Sequence, residues 1–179
     1  ELRDMLRTAV EYEGGPIALR YPRGSGAGVS IADAPHALPI GRGEIIRDGK
    51  DVTIISYGTM ALTAERAADA LAEASVSAAV VNARFVKPLD EELILRLARK
   101  TGALVTVEEG AATGGFGSAV LELLAREGLQ IPVRVIGIPD HFFDHASQTS
   151  LRRQAGLALE NVVAAAQAVL AQRVAVPAR

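Results

Sequence analysis

The sequence predicts an α/β fold: a mainly parallel sheet covered by helices on both faces, with one antiparallel strand at an edge. Three observations carry this expectation. From Gly43 onward, short apolar runs of strand length alternate with apolar-periodic stretches of helix length, and such an alternation closes through right-handed βαβ crossovers. Runs such as "VTII" and "AAVV" are apolar or small on successive residues, as strands buried on both faces must be. The first run, "GEIIRDG", is short and closes on the turn pair Asp48-Gly49, which suits an edge strand that doubles back.

The elements follow in order. "ELRDMLRTAVEYEGG" places Leu2, Met5, Leu6, Ala9 and Val10 on one helical stripe, and Gly14-Gly15 stops it. This helix has no start signal ahead of it and the chain has no initiator methionine, so the chain is expected to begin inside a longer protein, as its C-terminal piece. "PIALRY" is short, apolar and β-compatible, and is expected to close that first unit as a strand. Ser25 to Pro39 is rich in Gly, Ala and Pro without a period and reads as a linker. After the edge strand, "DVTIISYG" reads as a buried strand. "TMALTAERAADALAEA" reads as a helix with Thr59 as its N-cap. "SAAVVNA" is a strand. "PLDEELILRLARKTG" is a helix with Pro88 and acids early, Arg and Lys late, and Gly102 as its stop. "ALVTVEE" and "IPVRVIGI" are the remaining strands. "GGFGSAVLELLAREG", ended by Gly128, and "ENVVAAAQAVLAQR" are the remaining helices.

Composition narrows the functions. The 179 residues are 49% hydrophobic and 22% charged with a net charge of −2, which allows one domain, or one and part of another. No basic run marks a nucleic-acid partner. No apolar run approaches the roughly 20 residues that cross a bilayer. The absence of cysteine excludes disulfides, thiolate metal sites and a cysteine nucleophile, and fits a cytoplasmic setting.

Sheets of this type meet ligands at the carboxyl ends of their strands, here Tyr57-Gly58, Asn82 to Lys87, Glu108 to Gly117, and Pro139 to His145. "GGFGSAV" follows a strand and opens a helix like a dinucleotide fingerprint, but Val120 stands at the third glycine position. Its bare amides could receive an anion, but the segment reads as glycines that let a turn pass close to a neighbouring element and not as a cofactor loop. Glu108 and Glu109 end a strand and point to opposite faces, so they make a poor acid/base pair; one of them can cap the helix after Gly114, in a structural or interface role. His141 and His145 have ligand spacing if helical, but they lack a third ligand and follow Pro139, and the adjacent phenylalanines look like loop anchors. Arg84 and Lys87 crowd a helix start, an unfavourable place for cations, which suggests a salt bridge or a partner contact. In "ALRYPRGSGAG", Arg20 and Arg23 flank Pro22; a guanidinium fork there serves a phosphate or a structural ion pair equally well.

"ALRYPRG", "LPIGRGEIIRDGKDVTIISYGTM", "VVNARFVKPLDEELI", "LVTVEEGAATGGFGSAVLELL" and "IPVRVIGIPDHFFDHASQ", in this order over essentially the whole chain, closely resemble the 1-deoxy-D-xylulose-5-phosphate synthases, thiamine-diphosphate enzymes of the transketolase superfamily. "FVKPLD" and "VTVEE" are shared more loosely with transketolases and 2-oxo-acid dehydrogenase β-subunits. The resemblance implies that residues 1–24 are the tail of a pyrimidine-binding domain, 25–38 a linker, and 39–179 a transketolase-type C-terminal domain. It implies an enzyme that joins pyruvate to glyceraldehyde 3-phosphate with loss of CO2, supplying isoprenoid, thiamine and pyridoxal precursors, and acting as a cytoplasmic homodimer. It makes Arg23 the anchor of the substrate phosphate, with Arg20 in support. The family's Gly-Asp-Gly…Asn motif for diphosphate and Mg2+ does not occur in these residues; its activating glutamate and active-site histidines belong upstream. The chain alone is therefore expected to carry no catalytic, cofactor-binding or metal residues and to be inactive. The alternatives are a non-catalytic assembly domain, or the corresponding part of a transketolase or a 2-oxo-acid dehydrogenase β-subunit.

Overall fold

In the computed structural model, residues 1–22, 24, 28 and 34–173 are described. The elements run α1 (Leu2–Glu11), β1 (Glu44–Arg47), β2 (Val52–Ser56), α2 (Met60–Glu73), β3 (Ala78–Asn82), α3 (Glu91–Thr101), β4 (Leu104–Ala111), α4 (Phe116–Arg126), β5 (Val133–Ile138), α5 (Gln148–Gln154) and α6 (Leu159–Ala171). The five strands form one sheet in the order β1-β3-β2-β4-β5. β2 pairs in parallel with both β3 and β4, and β4 with β5, whereas β1 runs antiparallel along the edge of β3. The predicted fold class, edge strand included, is the observed one.

Alternation along each buried strand sends successive side chains to opposite faces. Val52, Ile54, Val80, Val105 and Val107 pack under α2 and α6 through Ala64, Leu71, Val162 and Ala166. Ile55, Val81 and Leu104 pack under α3 and α4 through Ile94, Leu97, Phe116 and Leu123. Each face thus buries one stripe per helix, and the three central strands are covered on both sides. Local chemistry sets the ends. Asp90 caps α3 by accepting from Leu93 N at 3.1 Å, and Gly102 ends it at φ 65°, a conformation glycine adopts without strain.

Several expectations need correction. "PIALRY" forms no strand: an extended segment becomes one only with a ladder partner, and residues 16–20 have none among the described residues. Pro88 precedes α3 instead of opening it, because Asp90 supplies the cap. Thr59 occupies the N-cap position of α2 as expected, but its side chain makes no capping hydrogen bond, its hydroxyl being engaged elsewhere. The seven-residue α5, absent from the sequence reading, starts at the Ser147 cap. It is separated from α6 by Gly156 at φ 72°. Gln148–Ala171 reaches the apolar content of a membrane span only if both helices are counted as one. The 13 residues of α6 rise about 20 Å, short of the ~30 Å of hydrocarbon.

Candidate functional site

The connection leaving β2 crosses one face through α2, and the connection leaving its neighbour β4 crosses the other through α4. The carboxyl ends of β2 and β4 are therefore the topological switch point, where open α/β sheets present a crevice. Tyr57, Gly58 and Thr59 stand on the β2 side of it, and Glu108 to Gly115 on the β4 side.

Glu108 and Glu109 divide as the pleat requires. Glu108 is 1% exposed and turns to α4. Its carboxylate accepts from Phe116 N at 2.9 Å and Gly117 N at 2.8 Å, so the helix start is held by a charged acceptor. The anion received by the glycine-rich turn is the protein's own carboxylate. Those amides are taken, and a diphosphate placed there would meet a buried negative charge. Gly117 is needed for contact: a Cβ there would lie 2.5 Å from Val135 Cγ1 and 2.6 Å from Thr106 Oγ1. Thr106 Oγ1 is buried without a hydrogen-bond partner among the described residues. The close-approach reading of these glycines is the observed one.

Glu109 turns the other way. It accepts from Thr59 Oγ1 at 2.7 Å and from Arg152 Nε at 2.6 Å, and Arg152 Nη2 also donates to Thr59 Oγ1 at 2.9 Å. Burial alone would raise the Glu109 carboxyl. The hydrogen bonds from Arg152 and Thr59, with the charges of Arg152 and Arg20, outweigh it and hold the group below its ordinary value. Tyr57, edge-on to Phe116 at 5.5 Å, is pushed up by burial and then by the Glu108 charge, against the opposing pull of Arg20. Arg20 is exposed and its charge acts on both groups, so it lies at this end of the sheet. Arg23 lies outside the described residues, as do linker residues 25–27 and 29–33.

The other candidates part company. Arg84 is a salt-bridge residue: its guanidinium meets Glu1 and Glu44, both at 2.5 Å. Lys87 is exposed. His141 and His145 lie on a non-helical loop, and the His141 ring packs on Phe143 at 4.1 Å. Phe142 is fully exposed and so is not a loop anchor, while Phe143 is half-buried. Among the described residues no three His, Asp or Glu side chains converge on a metal position. A shallow cleft beside β1 and α3 contains Arg42, whose charge is already met by Glu92 at 3.0 Å and Asp90 at 3.4 Å. Among the described residues, then, no side-chain cluster offers a metal position, and the Phe116 and Gly117 amides are already taken by Glu108. Sequence reasoning missed Arg152 because α5 is too short for a clear period; the Ser147 cap was the available signal.

The family profile described as "Transketolase, C-terminal domain" matches residues 41–162. The 1-deoxy-D-xylulose-5-phosphate synthase of Thermomicrobium roseum is 61% identical over 171 residues, covering 96% of this chain and 27% of the relative. That of Heliobacterium modesticaldum is 57% identical over 167 residues, covering 93% of this chain and 26% of the relative. The chain spans about a quarter of the length of these curated relatives. Among solved structures, a split-gene transketolase described as an inactive beta4 tetramer matches with a TM-score of 0.75 and 40% identity, covering 82% of this chain and 48% of that one. The transketolase of Leishmania mexicana, with a TM-score of 0.56, 19% identity, and coverage of 76% and 19%, shares the fold. The profile, the sheet order and the doubly covered core agree: the chain belongs to the transketolase C-terminal domain family, and its sequence is similar to those of 1-deoxy-D-xylulose-5-phosphate synthases.

Proposed function

We propose that this chain is the C-terminal part of a 1-deoxy-D-xylulose-5-phosphate synthase, a thiamine-diphosphate-dependent transferase that condenses pyruvate with glyceraldehyde 3-phosphate with loss of CO2. The observation that carries the reading is 61% identity to such a synthase over 171 residues, 96% of the chain, a span too long to omit the arginine segment or the sheet. On this reading residues 1–24 end the pyrimidine-binding domain, 25–38 link, and 39–179 form the C-terminal domain of a cytoplasmic homodimer. Thiamine diphosphate supplies the carbanion chemistry from a site elsewhere in the polypeptide, with Mg2+ on its diphosphate. The Phe116 and Gly117 amides that open α4 are already held by Glu108, which supports that assignment. The chain alone is inactive.

Its own part is recognition and positioning. Arg23 anchors the substrate phosphate through a charge-assisted fork. Arg20, at the carboxyl ends of β2 and β4, supports the segment. In the complete synthase, Arg23→Ala should remove about 1.5–3 kcal/mol of binding to glyceraldehyde 3-phosphate, seen as a KM raised roughly tenfold to a hundredfold. An unphosphorylated aldehyde assayed in parallel should be unaffected. Equal losses with both acceptors would refute the phosphate role, and absence of synthase turnover in the parent would refute the activity.

One observation supports a second reading, that of a separate assembly subunit: the split-gene transketolase chain is described as inactive and tetrameric. A homotetramer of this chain that persists when the upstream polypeptide is added would favour it.

A further inference from the structure

Arg84 is one of two non-glycine residues in the left-handed region among the described residues, at φ 57°. It sits just past the carboxyl end of β3. Its guanidinium is only 18% exposed and divides between two elements. Nε donates to Glu1 Oε1, at the head of α1, and Nη2 donates to Glu44 Oε2 on β1, each at 2.5 Å. Asn82, the last residue of β3, completes the clamp. Its amide donates to both Glu1 carboxylate oxygens, at 2.7 and 3.0 Å, and its Oδ1 accepts from Arg84 N at 3.1 Å. Glu1 therefore accepts from two side chains of the sheet domain.

The rest of α1 is attached in the same way. Asp4 accepts from His36 N at 3.1 Å, and Thr8 Oγ1 accepts from Leu38 N at 2.8 Å. Leu2, Leu6 and Val10, spaced four apart, are 52%, 56% and 75% exposed. The helix is held by polar contacts, at Glu1 to the sheet domain and at Asp4 and Thr8 to residues 36 and 38, while Leu2, Leu6 and Val10 of its apolar stripe are left exposed. Such contacts are directional, and fix orientation where apolar contact would only hold two surfaces together. Beyond α1 the chain runs to Arg20, whose charge reaches Tyr57 and Glu109 at the neighbouring strand ends.

We propose that Arg84 is a positioning residue: by clamping Glu1 of α1 to Glu44 of β1, it sets the placement of α1 and so of Arg20, which follows it along the chain. The role in substrate binding rests on the reading of Arg23 as a phosphate anchor. The clamp itself does not.

The test uses the complete polypeptide and the variants Arg84→Met, Arg84→Lys and Glu44→Gln, with two readouts. One is amide exchange of α1 against that of α2 and α3. The other is KM and kcat for glyceraldehyde 3-phosphate and for an unphosphorylated aldehyde. Arg84→Met should speed exchange across Met5–Glu11 at least tenfold with α2 and α3 unchanged. It should also raise KM for the phosphorylated acceptor about tenfold while kcat and the unphosphorylated acceptor move less than twofold. Arg84→Lys keeps the charge without the fork and should recover part of both effects. If Arg84→Met does not fold, Glu44→Gln breaks half of the clamp and should show the same pattern more weakly. Unchanged α1 exchange overturns the clamp. Faster exchange with unchanged KM overturns positioning and leaves a structural bridge. Parent protein without synthase turnover overturns the functional reading and positioning with it, while α1 exchange still decides the clamp.

Discussion

Glu108 and Glu109 are adjacent, yet they serve different elements. The pleat sends Glu108 under the first turn of α4 and Glu109 to the opposite face, among Thr59 and Arg152. Their sequence predicted the opposition, and that one of them caps the following helix, because period-two alternation is local geometry. It could not supply Arg152, which arrives from 43 residues away. Gly117 shows the same limit. "GGFG" announces that a close approach or an unusual conformation is needed, but only packing shows that Gly117 is tight against Val135 and Thr106. Gly117→Ala should gain helix propensity and still lose stability, by about 1–3 kcal/mol, because the added methyl has no room. Urea unfolding of the variant checks this; an unchanged midpoint would mean that the strand below yields easily.

At the scale of elements, the Glu109 cluster ties α2, β4 and α5 together at the switch point. Thr59 leaves its expected capping role because a charged acceptor is within reach at 2.7 Å, and charge-assisted bonds are stronger than neutral ones. Since Glu109 is held below its ordinary value when folded, its contribution is present above the unfolded glutamate range and is lost as pH falls through the lowered folded value. Glu109→Gln should therefore cost about 1 kcal/mol near neutral pH, the pair being 26% and 30% exposed and so partly screened. The difference from the parent should close as pH is lowered through that range. Denaturant melts at several pH values measure it; a gap independent of pH would show that the carboxylate charge is not what matters. "PIALRY" fails as a strand at this same scale, since β-propensity describes a surface ready to pair, and pairing needs a partner.

Over the whole molecule, two attachments coexist. The helices of the sheet domain are held by buried apolar stripes, whereas α1 is held by Glu1, Asp4 and Thr8. Leu6→Lys and Val10→Lys should accordingly change the stability of this chain by no more than about 0.5 kcal/mol, since neither side chain is buried. A loss of several kcal/mol on melting would show that the stripe packs within the chain after all. The exposed stripe, Ile17 and Tyr21 together leave apolar surface around the arginine segment, the part of the molecule that the proposed function places next to the rest of the enzyme.

The order of the sheet strands and of the longer helices, the parallel core and the edge strand were legible from the sequence alone, because strand and helix periods, turn pairs and the Gly102 stop act over a few residues. The resemblance to the synthases was legible too, carried by contiguous motifs. What the tertiary structure decided are the long-range pairings: the amides of the glycine turn going to Glu108, Thr59 and Arg152 going to Glu109, and α1 going to Arg84 and Asn82. Each joins residues that no local period relates, and a buried or half-buried polar group must find its partner wherever the fold brings one within hydrogen-bond distance.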